Sequence, residues 1–224
     1  LRSACCWQHC PHSVSDVKAI FYDWGGWNVR LFHVLNDVRG GFVDAFMQFG
    51  TDLGDHALFP LYLVAALGIA WWRYERAYRA RGDEAHTVMQ AWFAALTVFA
   101  VAYVLDGLAV SWLKDALDFP RPPQVLAPDA LHVVGEARYR HSLPSGHALF
   151  AATLALCFWP VSNAAARVML AMFMLWVGVS RVNLGAHFPA DVLAGYLLAA
   201  VVVVPSQWGF RNLPTLWSTR TIGD

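Results

Sequence analysis

Five apolar runs dominate this chain and restrict the surroundings in which it can fold. They lie at residues 56–72, 85–113, 147–166, 168–180 and 191–210. A spanning helix needs about 20 mostly apolar residues, fewer where its ends snorkel. The first run ends in Trp71 and Trp72 followed by Arg73, and the second is interrupted by Asp106 and closes at Lys114. The fourth is short, but Arg167 and Arg181 flank it with stems that reach outward. Pro160 and Pro205 are placed near inner helix ends, where proline is accommodated. Composition agrees: 58% of the 224 residues are hydrophobic and 14% charged, against about 25% charged in a soluble domain. The pattern predicts an all-α, integral-membrane helical bundle of about five transmembrane helices.

Residues 13–55 read differently. Apolar patches at 19–22, 29–35 and 42–49 alternate with charges and with the Gly25-Gly26 and Gly40-Gly41 breaks. None is long enough to span. Leu31, Val34, Leu35 and Val38 recur at helical spacing, which fits an amphipathic helix in the membrane interface or one packed on the bundle. The expected organisation is an interfacial segment at 1–55, a transmembrane core at 56–210 and a tail at 211–224. Cys5, Cys6 and Cys10 lie near His9 and His12, but their spacing fits no zinc pattern. No metal site is expected there, and the stretch reads as a frayed or appended end; no cleavable signal peptide is legible. Cys157 sits in an apolar run and reads as packing. The net charge of zero gives no reason to expect nucleic acid.

Arg73, Arg76, Arg79 and Arg81 crowd the link between the first two runs, which the positive-inside rule makes cytoplasmic. The links before Leu58 and after Leu113 then lie on the opposite side. That places three polar clusters together at one face: Lys114 with Arg121-Pro122, Pro144-Ser145-Gly146-His147, and Ser180-Arg181 with His187 and Asp191.

The clusters carry the parts for attack on a phosphate ester. His187 and Asp191 are four apart and share a helical face. An Asp accepting from one imidazole nitrogen leaves the other free as a nucleophile. His147 can give a proton to a leaving alkoxide. Gly146 permits close backbone approach to an oxyanion, and Ser145 offers a hydroxyl. Lys114, Arg121 and Arg181 can neutralise charge on the equatorial oxygens. Each alone has an ordinary explanation: a capping pair, a Pro-Ser-Gly turn, snorkelling anchors. Asp106, inside the second run, is a functional candidate or a partner for a neighbouring helix. Thr51-Asp52-Leu53-Gly54-Asp55 reads as helix-end structure, and Arg140 and His141 as lining an entrance.

Lys114-x6-Arg121-Pro122, Pro144-Ser145-Gly146-His147 and Ser180-Arg181-x5-His187-x3-Asp191 resemble the three signature motifs of the type 2 phosphatidic acid phosphatase superfamily, at every defining position and in order. The resemblance covers residues 114–191. It implies a membrane phosphatase needing no metal or cofactor. It implies His187 as the nucleophile that forms a phosphohistidine, Asp191 orienting it and His147 as general acid. Lys114, Arg121, Ser145, Gly146 and Arg181 would bind the phosphate. Vanadium haloperoxidases and soluble acid phosphatases look similar at these motifs, and the hydrophobic runs argue against both. The expected substrate is a lipid phosphate or diphosphate reached from the bilayer: undecaprenyl diphosphate, phosphatidylglycerol phosphate, phosphatidic acid or a lipid A phosphate. The expected location is a bacterial inner membrane, with the site facing the periplasm. Competing readings are a phosphotransferase using the same intermediate and a non-catalytic transporter or scaffold.

Overall fold

The computed structural model describes residues 22–212, and the cysteine–histidine cluster near the start and most of the tail lie outside them. The described residues contain no β-strand. The principal helices are α1 (Trp27–Asn36), α2 (Gly41–Leu53), α3 (Phe59–Arg81), α4 (Asp83–Leu117), α5 (Gly146–Phe158), α6 (Ala164–Asn183) and α7 (Pro189–Asn212). Four segments are long and apolar enough to cross a membrane: His56–Ala80, Glu84–Val125, Ala164–Asn183 and Pro189–Phe210. Gly146–Val161 is a shorter apolar helix among them. The molecule is an integral-membrane helical bundle.

Local chemistry sets the helix ends. Asp55 accepts from the N–H of Ala57 at 2.8 Å and starts the turn that leads into α3. Asn163 caps α6 by accepting from the N–H of Ala166 at 2.9 Å. α5 is buried on all sides, as Ala148, Leu149, Phe150, Ala151 and Ala152 show. It is the central helix, shielded by its neighbours rather than by lipid. Phe99, Phe150, Phe158, Trp92 and Val203 form the main core around it.

Three expectations need correction. The run at 147–166 is not one span: α5 stops at Phe158, a turn holds Trp159–Val161, and α6 begins at Ala164. Pro160 has no N–H to continue the helix, and Asn163 restarts it. Pro205 lies inside α7 rather than near its end. The arginine-rich link is not a loop: Arg73, Arg76 and Arg79 ride on the last turns of α3, and Gly82 alone separates α3 from α4. Arg79 pairs there with Glu75 at 2.9 Å.

The segment before α3 is bound tightly to the bundle. Gly50 and Gly54 of α2 press on α6 so closely that a Cβ would lie 2.7 Å from Trp176 and 2.4 Å from Val177. Phe46 stacks on Trp176 at 4.5 Å. The Asn36 amide donates to the carbonyls of His132 and Asn183 at 2.7 and 2.8 Å. Asn28 accepts from the N–H of Ala190 at 3.0 Å. The same two helices leave Trp27, Val34, Phe42 and Phe49 exposed. They pack on the bundle and carry apolar side chains on the outward side as well.

Candidate active site

The three clusters meet at one end of the bundle, from the close of α4, the start of α5 and the loop between α6 and α7. The approach of α5 to α7 depends on Gly195. A Cβ there would lie 2.7 Å from the carbonyl oxygen of Ser145 and 3.0 Å from the nitrogen of Leu149. The N–H of Ser145 in turn donates to the backbone carbonyl of Asp191 at 3.0 Å.

His187 is buried in the loop before α7. Its Nδ1 lies 3.3 Å from Oδ2 of Asp191, and its Nε2 lies 3.3 Å from NH1 of Arg121. A guanidinium only donates, so Nε2 is the acceptor and Nδ1 carries the proton toward the carboxylate. The free lone pair of Nε2 therefore points to Arg121. Burial, and then the charges of Arg121, Arg181 and Lys114, hold this ring well below the ordinary value of 6.5. That direction favours the neutral imidazole.

Asp191 has no solvent exposure, and donors surround it. Oδ1 accepts from the Tyr22 hydroxyl at 3.0 Å. Oδ2 accepts from Ser142 at 2.5 Å, from the N–H of Phe188 at 2.9 Å and from His187. Such a set fixes the carboxyl group in place beside Nδ1 of His187. The Tyr22 phenol is raised above the ordinary tyrosine range, first by burial and then by the Asp191 charge, so it stays a donor.

The cations are held in different ways. Arg121 is clamped by backbone carbonyls: Nε to Arg140 at 2.9 Å, NH1 to Ala186 at 3.1 Å and NH2 to His141 at 3.3 Å. Arg181 donates from NH1 to Thr51 at 3.2 Å, while its buried Nε has no partner among the described residues. Gly146 keeps the space beside Lys114 open, since even a Cβ there would stand 3.9 Å from Nζ. His147 has Nε2 3.9 Å from a carboxylate oxygen of Asp55.

A cavity of about 450 Å³ joins these groups. Lys114, Arg121, Gly146, His147, Arg181 and His187 line it, together with Arg138. Its far wall is apolar, with Val104 and Leu108 of α4, themselves exposed on the bundle surface, facing Leu149 and Phe150 of α5. Ser145 differs from the other expected phosphate ligands: it does not line the cavity, and its buried Oγ has no partner among the described residues.

Sequence reasoning missed Tyr22, Ser142, Thr51 and Asp55. Ser142 lies two residues before Pro144, and Thr51 and Asp55 belong to a stretch read as helix-end structure. That stretch is indeed a helix end, but it also reaches the site. No local signal marks Tyr22. Arg140 and His141 do not line the cavity as expected. Their backbone carbonyls clamp Arg121 while their side chains turn to Asp118, Arg140 at 2.5 Å and His141 at 3.6 Å.

An integral-membrane bundle with this constellation at one end defines a class of protein, and the comparisons agree. The family model described as PAP2 superfamily matches residues 95–213, and the chain belongs to that superfamily. It is 30% identical to a lipid A 1-phosphatase of Rhizobium johnstonii over 187 residues, covering 75% of this chain and 70% of that one. It is 25% identical to phosphatidylglycerophosphatase B of Escherichia coli over 191 residues, covering 63% of this chain and 75% of that one. Among solved structures, Aquifex aeolicus LpxE superposes with a TM-score of 0.62 at 23% identity, over 80% of this chain and 94% of that one. A transmembrane PAP2-type phosphatidylglycerolphosphate phosphatase from Bacillus subtilis gives 0.59 at 22% identity, over 90% and 92%. These structural likenesses support the fold.

Proposed function

We propose that this protein hydrolyses a phosphate monoester or diphosphate carried by a membrane lipid, through a phosphohistidine on His187. The observation that carries the reading is the shared cavity: Lys114, Arg121, Arg138 and Arg181 with His56, His147 and His187 at one end, an apolar wall open to the bilayer at the other. A lipid can lay its body along Val104 and Leu108 while its phosphate sits among Lys114, Arg121 and Arg181.

In the first step Nε2 of His187 bonds to phosphorus as the bond to the leaving oxygen breaks. The alkoxide, or the phosphate leaving from a diphosphate, takes a proton from His147. The imidazolium that forms is stabilised by Asp191, which Tyr22 and Ser142 hold in place. In the second step water attacks phosphorus, His147 takes its proton, and the P–N bond breaks to release phosphate. The charge that builds on the equatorial oxygens meets the three cations, the role a bound metal plays elsewhere. Metal independence is part of the proposal. Arg181, whose Nε has no partner among the described residues, and Lys114, which lines the cavity, supply donors to the substrate, and Arg121 exchanges its contact with Nε2 for phosphate.

The catalytic core is assigned to residues 56–210, with the segment before it contributing Tyr22, Thr51 and Asp55. The names of the relatives make lipid A-type and phosphatidylglycerophosphate substrates the leading candidates, with phosphatidic acid and undecaprenyl diphosphate beside them. Arg73, Arg76 and Arg79 lie toward the opposite end of the bundle from Lys114, which favours a bacterial inner membrane with the site on the periplasmic side. The test is phosphate release from a panel of these lipids by detergent-purified protein in EDTA. Wild type should turn over at least one, vanadate should inhibit, and His187→Ala should show no turnover. Activity of His187→Ala within about tenfold of wild type, only about 1.4 kcal/mol of barrier, would refute the assignment, as would activity lost to EDTA and restored by Mg²⁺.

A further inference from the structure

The substrate cavity does not end at the phosphate groups. It continues along α4 past Leu108 and Gly107 to Asp106. Asp106 lies eight residues before Lys114, about 12 Å deeper along the helix at 1.5 Å per residue. It is 5% exposed. Its Oδ2 accepts from the hydroxyl of Thr153 on α5. Its Oδ1 is buried and has no hydrogen-bond partner among the described residues. Beside it the cavity is open, because a Cβ on Gly107 would meet nothing within 4 Å.

A carboxyl group is a costly way to tie two helices. An unpaired buried polar oxygen costs about 1–3 kcal/mol, and ionisable groups at membrane depth mark pathways and binding sites by default. The tie to Thr153 uses one oxygen and leaves the other facing a need that the protein does not meet. What the group lacks is a donor, and the space from which one can arrive is the cavity that admits the lipid.

We propose that Asp106 forms a second recognition subsite for the lipid body, selecting lipid phosphates that carry a hydroxyl or amide N–H well down the body, where it can reach the level of Asp106, about 12 Å along α4 from Lys114. This rests on the reading of the cavity as a lipid phosphatase site. Polyprenyl phosphates have only hydrocarbon at that depth, and the ester carbonyls of diacylglycerol phosphates are acceptors only. Lipids with a hydroxylated, amide-linked or sugar-bearing body carry donors. Asp106 sets preference among lipids, while the chemistry remains with His187.

The test compares hexadecyl phosphate with a series hydroxylated at successive carbons, each incubated with wild type and with Asp106→Leu. In wild type, kcat/KM should peak about tenfold above the unsubstituted lipid at one hydroxyl position along the chain, the position that reaches Asp106. In Asp106→Leu the peak should vanish while the unsubstituted lipid is retained. The ratio is read within one preparation, so a partly folded variant does not distort it. A flat wild-type series would overturn the proposal, and that measurement needs no folded variant. Equal loss on every lipid in Asp106→Leu, with the peak kept, would reduce Asp106 to a helix tie. Turnover of none of these lipids, nor of the panel above, would overturn the phosphatase reading and this subsite with it. Turnover without a peak sinks only the subsite.

Discussion

Tyr22→Phe removes one hydroxyl and keeps the ring against Phe119 at 4.6 Å and Phe188 at 6.0 Å. What is lost is the 3.0 Å bond to Oδ1 of Asp191. A hydrogen bond to a charged group contributes about 1.5–3 kcal/mol. Were it equally strong in ground and transition states, only stability would fall. It should not be equal, because Asp191 faces a growing positive charge as Nε2 of His187 bonds to phosphorus. Expression of half the bond in the transition state gives about a 3- to 10-fold fall in kcat/KM, and full expression about 100-fold. The assay is phosphate release from a short-chain lipid phosphate in detergent, with active sites counted by the burst of p-nitrophenol from p-nitrophenyl phosphate. A per-site kcat/KM within twofold of wild type would refute the reasoning. A fall in melting temperature alone would make Tyr22 a packing residue.

In the proposed mechanism the neutral ring of His187 attacks, and that ring is held well below 6.5, so the form that reacts persists as pH falls through that value. Single-turnover phosphorylation by p-nitrophenyl phosphate should hold its rate from pH 7 to pH 6, and a rate halved near 6.5 would contradict this. Gly195→Ala sets a Cβ 2.7 Å from a backbone oxygen of α5, which cannot swing aside. Overpacking of this kind costs about 1–3 kcal/mol, and thermal unfolding in detergent should show a lowered midpoint, which an unchanged one would disprove. For sidedness, Arg79→Cys and Arg138→Cys in a background without the natural cysteines can be probed in intact cells with an impermeant maleimide. Labelling at 138 and protection at 79 are expected, and the reverse pattern would invert the topology.

The helical class and the gathering of the three motifs at one cavity were legible because each rests on a local pattern. Apolar runs mark spans, and the proposed site residues from Lys114 to Asp191 stand in three short motifs. Helix limits were less legible where an apolar run hid a break. Trp159, Pro160 and Val161 are as apolar as a span, and only Pro160 and the cap at Asn163 divide α5 from α6. The supporting shell was least legible. Thr51 meets Arg181 across 130 residues and Tyr22 meets Asp191 across 169, and no spacing rule reaches that far. Polar residues there read as surface features because their partners lie elsewhere in the chain. Pro205 misled in the other direction, since α7 continues through it.

The bond between Tyr22 and Asp191 has a consequence for biogenesis. Tyr22 is made 169 positions before the carboxylate to which it donates. At about 5–20 residues per second, roughly 8–34 seconds separate the two. Throughout that interval the growing chain threads apolar helices into the bilayer while the Tyr22 hydroxyl has no carboxylate to meet. Asn28 and Asn36 wait likewise for Ala190 and Asn183. The proposed site therefore closes only once the start of α7 is in place, and a chain cut short before α7 lacks the acceptor that Tyr22 holds.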